Sequence, residues 1–546
     1  MADDFIILGI LEKVSPFTWA GPFNLYSFAD GDPAHMQIAK ESGAFPWFAH
    51  SHFKLNFFRP LSSMLLVFDH AFFGLHPVGY SVHSILWLLM LILGVHFLMK
   101  KILPGPIGIL ASNVYALSGI LAIAVFWASC RHNLITPCIG VWAFLFYLHW
   151  HEKGKKRFFV LSLAGFSLAF LAGESAIAVI GYPIAYTLVA PREERRSRFV
   201  SFVPLLLLTL VYLAFYIASG YGAGEGSEYQ NPLSVPGAFL KVLPERISAA
   251  VCALFFGGAV DVLAMDPVGK PFLVIGGICV IILLIFMFRL SWSLLSNTEK
   301  HVIRWMIIGS LLSCVPMAAS MTISFHLIVP LIGWSVVVAH LLYSRRLVMQ
   351  SRHGFWRWFF QIICLLIFFI QLVVGPALRL FTPISLKKMM NVRLETAMKN
   401  LDQDFPQIKN KNVIILNASD LVLGLHSYFY RRLYLLPMPA SWRVMYWGRG
   451  EIHMRRVAEK SFEMEFLSRS FLREKFHPGD IIYLPEMEIR IISADASGIQ
   501  KILCTLTRPL DDPALLLLTW KDKFIPIRMP ANSQSIILPH VSPFSE

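Results

Sequence analysis

Long apolar stretches, cut by short polar clusters, dominate the first 377 residues. Crossing about 30 Å of hydrocarbon takes roughly 20 residues at about 1.5 Å rise each. Segments 79–99, 107–127, 133–151, 157–173, 175–190, 199–219, 271–289, 305–322, 326–343 and 357–377 meet or approach that length. They predict an all-α polytopic membrane bundle of about ten spans, the shorter ones packed inside it. Beyond residue 377 the pattern changes. Charges return, and short runs of strand-like residues appear at 412–416, 481–484, 489–492 and 515–520. Turn-forming groups at 478–480, 495–498 and 511–513 bound them. This punctuation predicts a mostly-β domain over 378–546.

Residues 1–78 are neither a span nor a simple loop. They carry Pro16, Pro22, Pro33 and Pro46, and the run 61–75 sets Asp69 and His70 among apolar residues. That mixed pattern predicts a helix at the bilayer surface. The expected organisation is a first loop over 1–78, a transmembrane bundle over 79–377 with a long loop at 219–270, and the β-rich tail.

Composition agrees with the periodicity. Of 546 residues, 56% are hydrophobic and 15% charged, and mean hydropathy is +0.60. Soluble chains are about 45–50% apolar and about 25% charged. The net charge of +14 resides largely in particular loops. Lys100 and Lys101, the stretch 151–157, the stretch 192–198, Lys300 to Arg304, and Arg345, Arg346, Arg352 and Arg357 make alternate loops basic. Such loops stay in the cytoplasm. The alternation requires that 245–265 not cross, so this stretch is read as a helix lying on, or dipping into, the outer face. Residues 1–78, 130–132, 173–175, 219–270, the corner 324–326 and the tail then face the periplasm or cell exterior. This topology also puts residue 1 outside, so the reading expects a preceding first helix that this sequence does not contain. The sequence carries no RRM, zinc-finger or helix-turn-helix signature, which argues against nucleic acid as a partner. Seven scattered cysteines without a CxxC pair argue against a zinc site or disulfide framework. Gly222, Gly224 and Gly226 follow no strand and read as coil, and Asn417-Ala418-Ser419 fits a glycosylation sequon.

Polar residues at outer-facing helix ends are the candidates for chemistry, because charge near hydrocarbon is costly and usually faces a cavity. Asp3 and Asp4 open the chain. Adjacent carboxylates can supply a general base or hold a divalent cation such as Mg or Mn; they can equally be solvated terminal acids. Arg59, just before Pro60, can bind phosphate bidentately or snorkel. Arg131 lies on the side where cations are scarce and invites an anionic partner; His132 beside it is as readily a helix-end hydrogen-bonder. Glu174 stands alone between two apolar runs, as a functional acid or as a brace to Arg131. His83 and His326 are substrate contacts or packing residues. Arg246, Asp261 and Asp266 on the long outer loop are candidate rim residues.

Taken in order, these pieces resemble the GT-C membrane glycosyltransferases, and among them the bacterial proteins related to protein O-mannosyltransferases. The similar pieces are Asp3-Asp4-Phe5, then Phe58-Arg59-Pro60-Leu61, then the run from Phe73 to Tyr80. Trp127 with Arg131 follows, then Glu174-Ser175-Ala176, and the corner from His326 to Pro330 with Gly333. The match extends over roughly residues 1–345. The sequence departs from the family where His-Pro becomes Ser118-Gly119, where an Arg-x-Asp becomes Arg131-His132-Asn133, and where a Lys-Glu pair becomes Gly173-Glu174. The resemblance implies an enzyme of the bacterial inner membrane with its site on the periplasmic side. It would take a sugar from a polyprenyl-phosphate donor entering from the lipid. The phosphate would be held by Arg59 and Arg131, with His132, Glu174, His83 and His326 as further donor or substrate contacts. Asp3 or Asp4 would be the base on an acceptor hydroxyl, with inversion at the sugar. A transporter or flippase of lipid-linked saccharide, or an inactive scaffold that binds it, are the competing readings. The former predicts charges near the bilayer midplane and paired broken helices.

Overall fold

The computed structural model describes residues 2–224, 229–232, 234–258, 269–320, 324–351, 353–447, 451–466, 476–495, 498–529 and 534–538. The chain divides into two compact units. One comprises Phe57–Gly222 and Glu228–Ile384; the other comprises Met1–Asn56, Ala223–Ser227 and Ser385–Glu546. The boundaries therefore differ from those expected at 78 and 377. Residues up to 56 pack with the tail, and residues 57–78 with the membrane helices.

In the first unit, each of the ten candidate segments falls largely on helix. Prolines at the first helical position start several of them, at Pro60, Pro77, Pro106 and Pro236, where the missing N–H has no intrahelical partner to lose. A capping box between Ser296 and Glu299 starts helix Asn297–Met317, and Gly154 in the left-handed region ends helix His132–Lys153. Among the described residues, six helices are long and apolar enough to cross a membrane. The bent pair Pro106–Leu117 and Gly119–Phe126 would make a seventh, and Pro60–Phe73 and Ala176–Leu188 are shorter apolar helices beside them. The shorter helices, such as Ala176–Leu188, are buried among the others and need not match the bilayer's thickness. Burial separates the centre from the rim. About 67% of the best window of Ala128–Lys153 and 72% of that of Pro330–Ser351 is buried, against 22% for Arg192–Ala218.

Small residues allow the central helices to approach. A Cβ on Gly333 would stand 2.3 Å from the Met306 carbonyl, and one on Gly309 2.4 Å from the Tyr182 ring. The buried Tyr182 hydroxyl donates to the Val329 carbonyl at 2.9 Å and accepts from Gly333 N at 2.9 Å. Helix Pro236–Phe256, expected at the outer face, packs along helix Gly269–Ser291. Ser248 donates to the Val274 carbonyl at 2.7 Å, and Gly277 lies against Ser248.

The tail in the second unit is mostly β, as expected, and builds two sheets. Its four-stranded sheet has Phe524–Pro526, Leu515–Trp520, Asn412–Asn417 and Ser441–Val444 in that order. The last three strands run parallel, and the two central ones are almost wholly buried, as parallel strands covered on both faces are. Helix Ser427–Leu433 makes the crossover from Asn412–Asn417 to Ser441–Val444. The other sheet is antiparallel, in the order Ser535–Leu538, Ile452–Ala458, Ser461–Phe466, Gly498–Leu506, Met487–Asp495, Ile481–Leu484. Residues up to 56 are bound into this unit by specific bonds. The Arg443 guanidinium donates to the carbonyls of Lys40 at 3.1 Å and Glu41 at 2.8 Å, and pairs with Glu486. Trp47 Nε1 donates to the Met445 carbonyl at 3.1 Å. Gly43, at φ +85°, has the Trp442 carbonyl 2.2 Å from where a Cβ would stand, so no other residue fits there.

Candidate functional site

Two arginine–carboxylate clusters form in the membrane unit. The first begins at a proline. Arg59 directly precedes Pro60, which excludes Arg59 from the helix and leaves it at φ −135° as the cap of Pro60–Phe73. Its side chain makes no capping bond and reaches away to Glu174. Glu174 occupies the break between helices Lys156–Ala172 and Ala176–Leu188. Arg59 Nε donates to Glu174 Oε2 at 2.8 Å, and the Tyr216 hydroxyl donates to Oε1 at 3.1 Å. The Arg59 and Glu174 side chains are 12% and 21% exposed. The guanidinium also stacks 4.4 Å over the Phe57 ring.

His132 Nδ1 faces the Ser129 carbonyl at 3.0 Å and Arg59 Nη1 at 3.5 Å. The carbonyl only accepts and the guanidinium only donates, so the two contacts place opposite demands on this nitrogen. His326, on the short helix Ser324–Leu327, lies within electrostatic range of His132. The break at 173–175 is narrow. A Cβ on Gly173 would stand 3.1 Å from Thr136 Oγ1, 3.6 Å from the His132 ring and 3.8 Å from Arg59 Cγ. Glycine at this position lets the three helices converge. The Thr136, Ser175 and Tyr212 hydroxyls nearby are buried and make no hydrogen bond among the described residues. Tyr212 stacks on Phe170 with centroids 4.4 Å apart, and Phe58 and Tyr216 pack against Tyr221. Tyr229 packs on Phe57; burial pushes its hydroxyl above the usual phenol range, opposed by the nearby Arg59 charge. These groups gather at the ends of the helices opposite the basic loops: His132 opens the helix that Lys153 closes.

The second cluster is closed. Arg131 is 1% exposed. It pairs with Asp69, donates to Ser84 Oγ at 2.8 Å from Nε, and donates to the Tyr80 carbonyl at 2.8 Å from Nη2. Asp69, 0% exposed, also takes His83 Nδ1. Trp87 Nε1, which can only donate, points at His83 Nε2 at 3.0 Å. His83 therefore holds its proton on Nδ1, directed at Asp69. These bonds correct three expectations. Arg131 is committed to Asp69 and has no face open to a lipid phosphate. Glu174 pairs with Arg59 and not with Arg131. Asp69, read as part of a surface helix, is the buried counter-ion of the cluster, and His83 is its second partner. Arg246 caps a helix end by donating to the Ala318 carbonyl at 2.7 Å. Asp261, Asp266 and Gly226 lie outside the described residues.

Asp3 and Asp4 belong to the other unit. They stand in the first turn of helix Ala2–Leu11, where carboxylates complement the helix dipole. Consecutive helical side chains diverge by about 100°, so the two carboxylates do not face one another. Among the described residues no group of three or more His, Cys, Asp or Glu is placed to hold a metal. The donor set at Asp3 and Asp4 thus does not fit a cation chelated by this pair. Asp3, 43% exposed, has His426 Nε2 3.4 Å from its Oδ1. Sequence reasoning missed both His426 and Asp69, since neither forms a motif with its partner. Asn417 and Ser419 are buried, and Ser419 is bonded to Arg393, so the sequon is closed to modification.

No protein-family model matches the chain, and no curated protein does. Among solved structures, the chain is similar to ArnT from Cupriavidus metallidurans bound to undecaprenyl phosphate. That match has a TM-score of 0.39 and 14% identity, over 80% of this chain and 86% of that one. The same protein in its apo state matches with a TM-score of 0.34 and 15% identity, over 79% and 84% of the two chains.

Proposed function

We propose that this protein is a GT-C-type membrane glycosyltransferase that moves a sugar from a polyprenyl-phosphate donor to an acceptor hydroxyl, with inversion. The observation that carries the reading is the partly open Arg59–Glu174–Tyr216 cluster, at the helix ends opposite the basic loops. A guanidinium is a planar, permanently charged fork whose geometry matches phosphate oxygens, and this one lies at a partly open position. The buried hydroxyls of Thr136, Ser175 and Tyr212 suit the same anion or its bound water. Arg59 takes the phosphate role, with His132, His326 and Glu174 around it, and Arg131 is removed from it. Asp3 or Asp4 is the base. The carboxylate accepts the acceptor's hydroxyl proton while the oxygen bonds to the anomeric carbon. The bond from that carbon to the phosphate oxygen breaks, and the electron pair leaves with polyprenyl phosphate. That leaving group is a stable anion and needs little protonation. On the positive-inside argument, the site and the tail face the periplasm of a bacterial inner membrane.

The test is transfer from a polyprenyl-phosphate sugar by the protein reconstituted in liposomes, read as release of polyprenyl phosphate. The Asp3→Asn, Asp4→Asn double variant is expected to lose about 10²-fold or more, the usual contribution of a general base. Unchanged transfer would reject the assignment.

A further inference from the structure

The parallel strands of the second unit end near a buried histidine. Asn412–Asn417 lies between Leu515–Trp520 and Ser441–Val444, and the chain leaves its carboxyl end through Asp420, which accepts from Leu423 N at 3.0 Å. It then turns through 422–426 into helix Ser427–Leu433. His426 stands at that junction, 2% exposed. The preceding turn is held tightly, since a Cβ on Gly424 would stand 2.6 Å from the Trp447 ring. Neither ring nitrogen of His426 makes a hydrogen bond among the described residues. The ion-pair neighbour it has is Asp3, with Nε2 3.4 Å from Oδ1. Helix Ala2–Leu11 is seated here by Phe5 against Tyr430 and Tyr434.

A buried imidazole whose nitrogens make no hydrogen bond among the described residues is a poor choice for filling space, because an apolar residue of similar size would avoid the desolvation. It approaches a partly exposed carboxylate at the carboxyl edge of parallel strands, where α/β sheets generally receive ligands. We propose that His426 is the positioning residue for Asp3, and that Asp3 is the base of the transfer reaction; this rests on the glycosyl-transfer reading above. A small closure from the 3.4 Å separation lets an Nε2–H group fix one carboxylate oxygen and turn the other outward to take the acceptor's hydroxyl proton. The remaining bond changes are those already given.

The experiment uses the full-length protein in liposomes. Asp3→Asn alone is expected to lose as much transfer as the double aspartate variant. His426→Leu should lower kcat about tenfold, the effect of one charge-assisted hydrogen bond, and leave acceptor KM within about twofold. His426→Gln carries an amide N–H at similar reach and should recover most of that loss. Adding His426→Leu to Asp3→Asn should cost nothing more, since the histidine acts through the aspartate. Where His426→Leu fails to fold, His426→Asn, whose shorter amide falls short of Asp3, takes its place. Wild-type kcat in the leucine variant, alongside an inactive Asp3→Asn, overturns this proposal and spares the general reading. Equal losses for Leu and Gln also overturn it. Full activity of Asp3→Asn overturns it outright, and the activity of the double variant then decides whether the wider reading falls too.

Discussion

Arg131–Asp69 and Arg59–Glu174 use the same two chemistries within one helical unit and are built oppositely. Arg131 and Asp69 are 1% and 0% exposed, and Ser84, Tyr80 and His83 complete their bonding. Arg59 and Glu174 are 12% and 21% exposed, with buried hydroxyls beside them that bond to nothing described. A charge in a membrane helix is therefore not by itself a site. The first pair ties helices Pro60–Phe73 and Pro77–Ile102 to the turn before His132. The second is partly open and lies beside buried hydroxyls that make no hydrogen bond among the described residues. Access, together with those hydroxyls, separates a candidate binding group from a brace.

Removing one partner of each pair separates the two most widely. Asp69→Ala strands a buried guanidinium and should destabilise the protein by about 3–5 kcal/mol, read by denaturant or thermal unfolding in detergent. Arg59→Ala should leave stability within about 1 kcal/mol. It should weaken polyprenyl phosphate binding by about 10- to 100-fold in a direct binding assay, as loss of charge-assisted hydrogen bonds does. If the two variants exchange these phenotypes, the comparison is wrong. Gly173→Ala tests the narrow break beside Glu174, because its Cβ meets Thr136 Oγ1 at 3.1 Å. A loss of about 1 kcal/mol is expected, with weaker donor binding, and a stabilised variant would contradict the packing. The smallest effect has the opposite sign. Glu174→Gln keeps one acceptor oxygen, for Arg59 or Tyr216, and removes the competing negative charge. It should tighten polyprenyl phosphate binding about two- to fivefold while slowing transfer, and weaker binding would mean that Glu174 helps hold the anion through another group.

The helices were legible because a stretch such as 271–289 is apolar almost throughout, and its composition alone demands a nonaqueous setting. Strands 412–417 and 515–520 were legible as short buried runs between turn signals. Their parallel pairing was not, since a run buried on both faces carries no mark of direction. Arg59, His132 and Glu174 stood out as costly polar residues at helix ends, and the structure brings them together. Their partners were another matter. Arg131 meets an aspartate 62 positions away, on a helix whose pattern suits a membrane surface equally well. Periodicity assigns a face to a residue but does not say which distant helix lies against it. His426 escaped for the same reason: its neighbour Asp3 is at the opposite end of the chain.

That separation has a consequence for biogenesis. Trp47 waits for the carbonyl of Met445, 398 residues later, and Lys40 for the guanidinium of Arg443, 403 residues later. At about 5–20 residues per second, the ribosome needs on the order of 20–80 s to deliver those partners. The opening segment must meanwhile persist with its tryptophan and prolines unsheltered, while the helices between are threaded into lipid. A polypeptide released before residue 445 would lack both clasps, so prematurely terminated products should be recognisable to quality-control proteases from their first fifty residues.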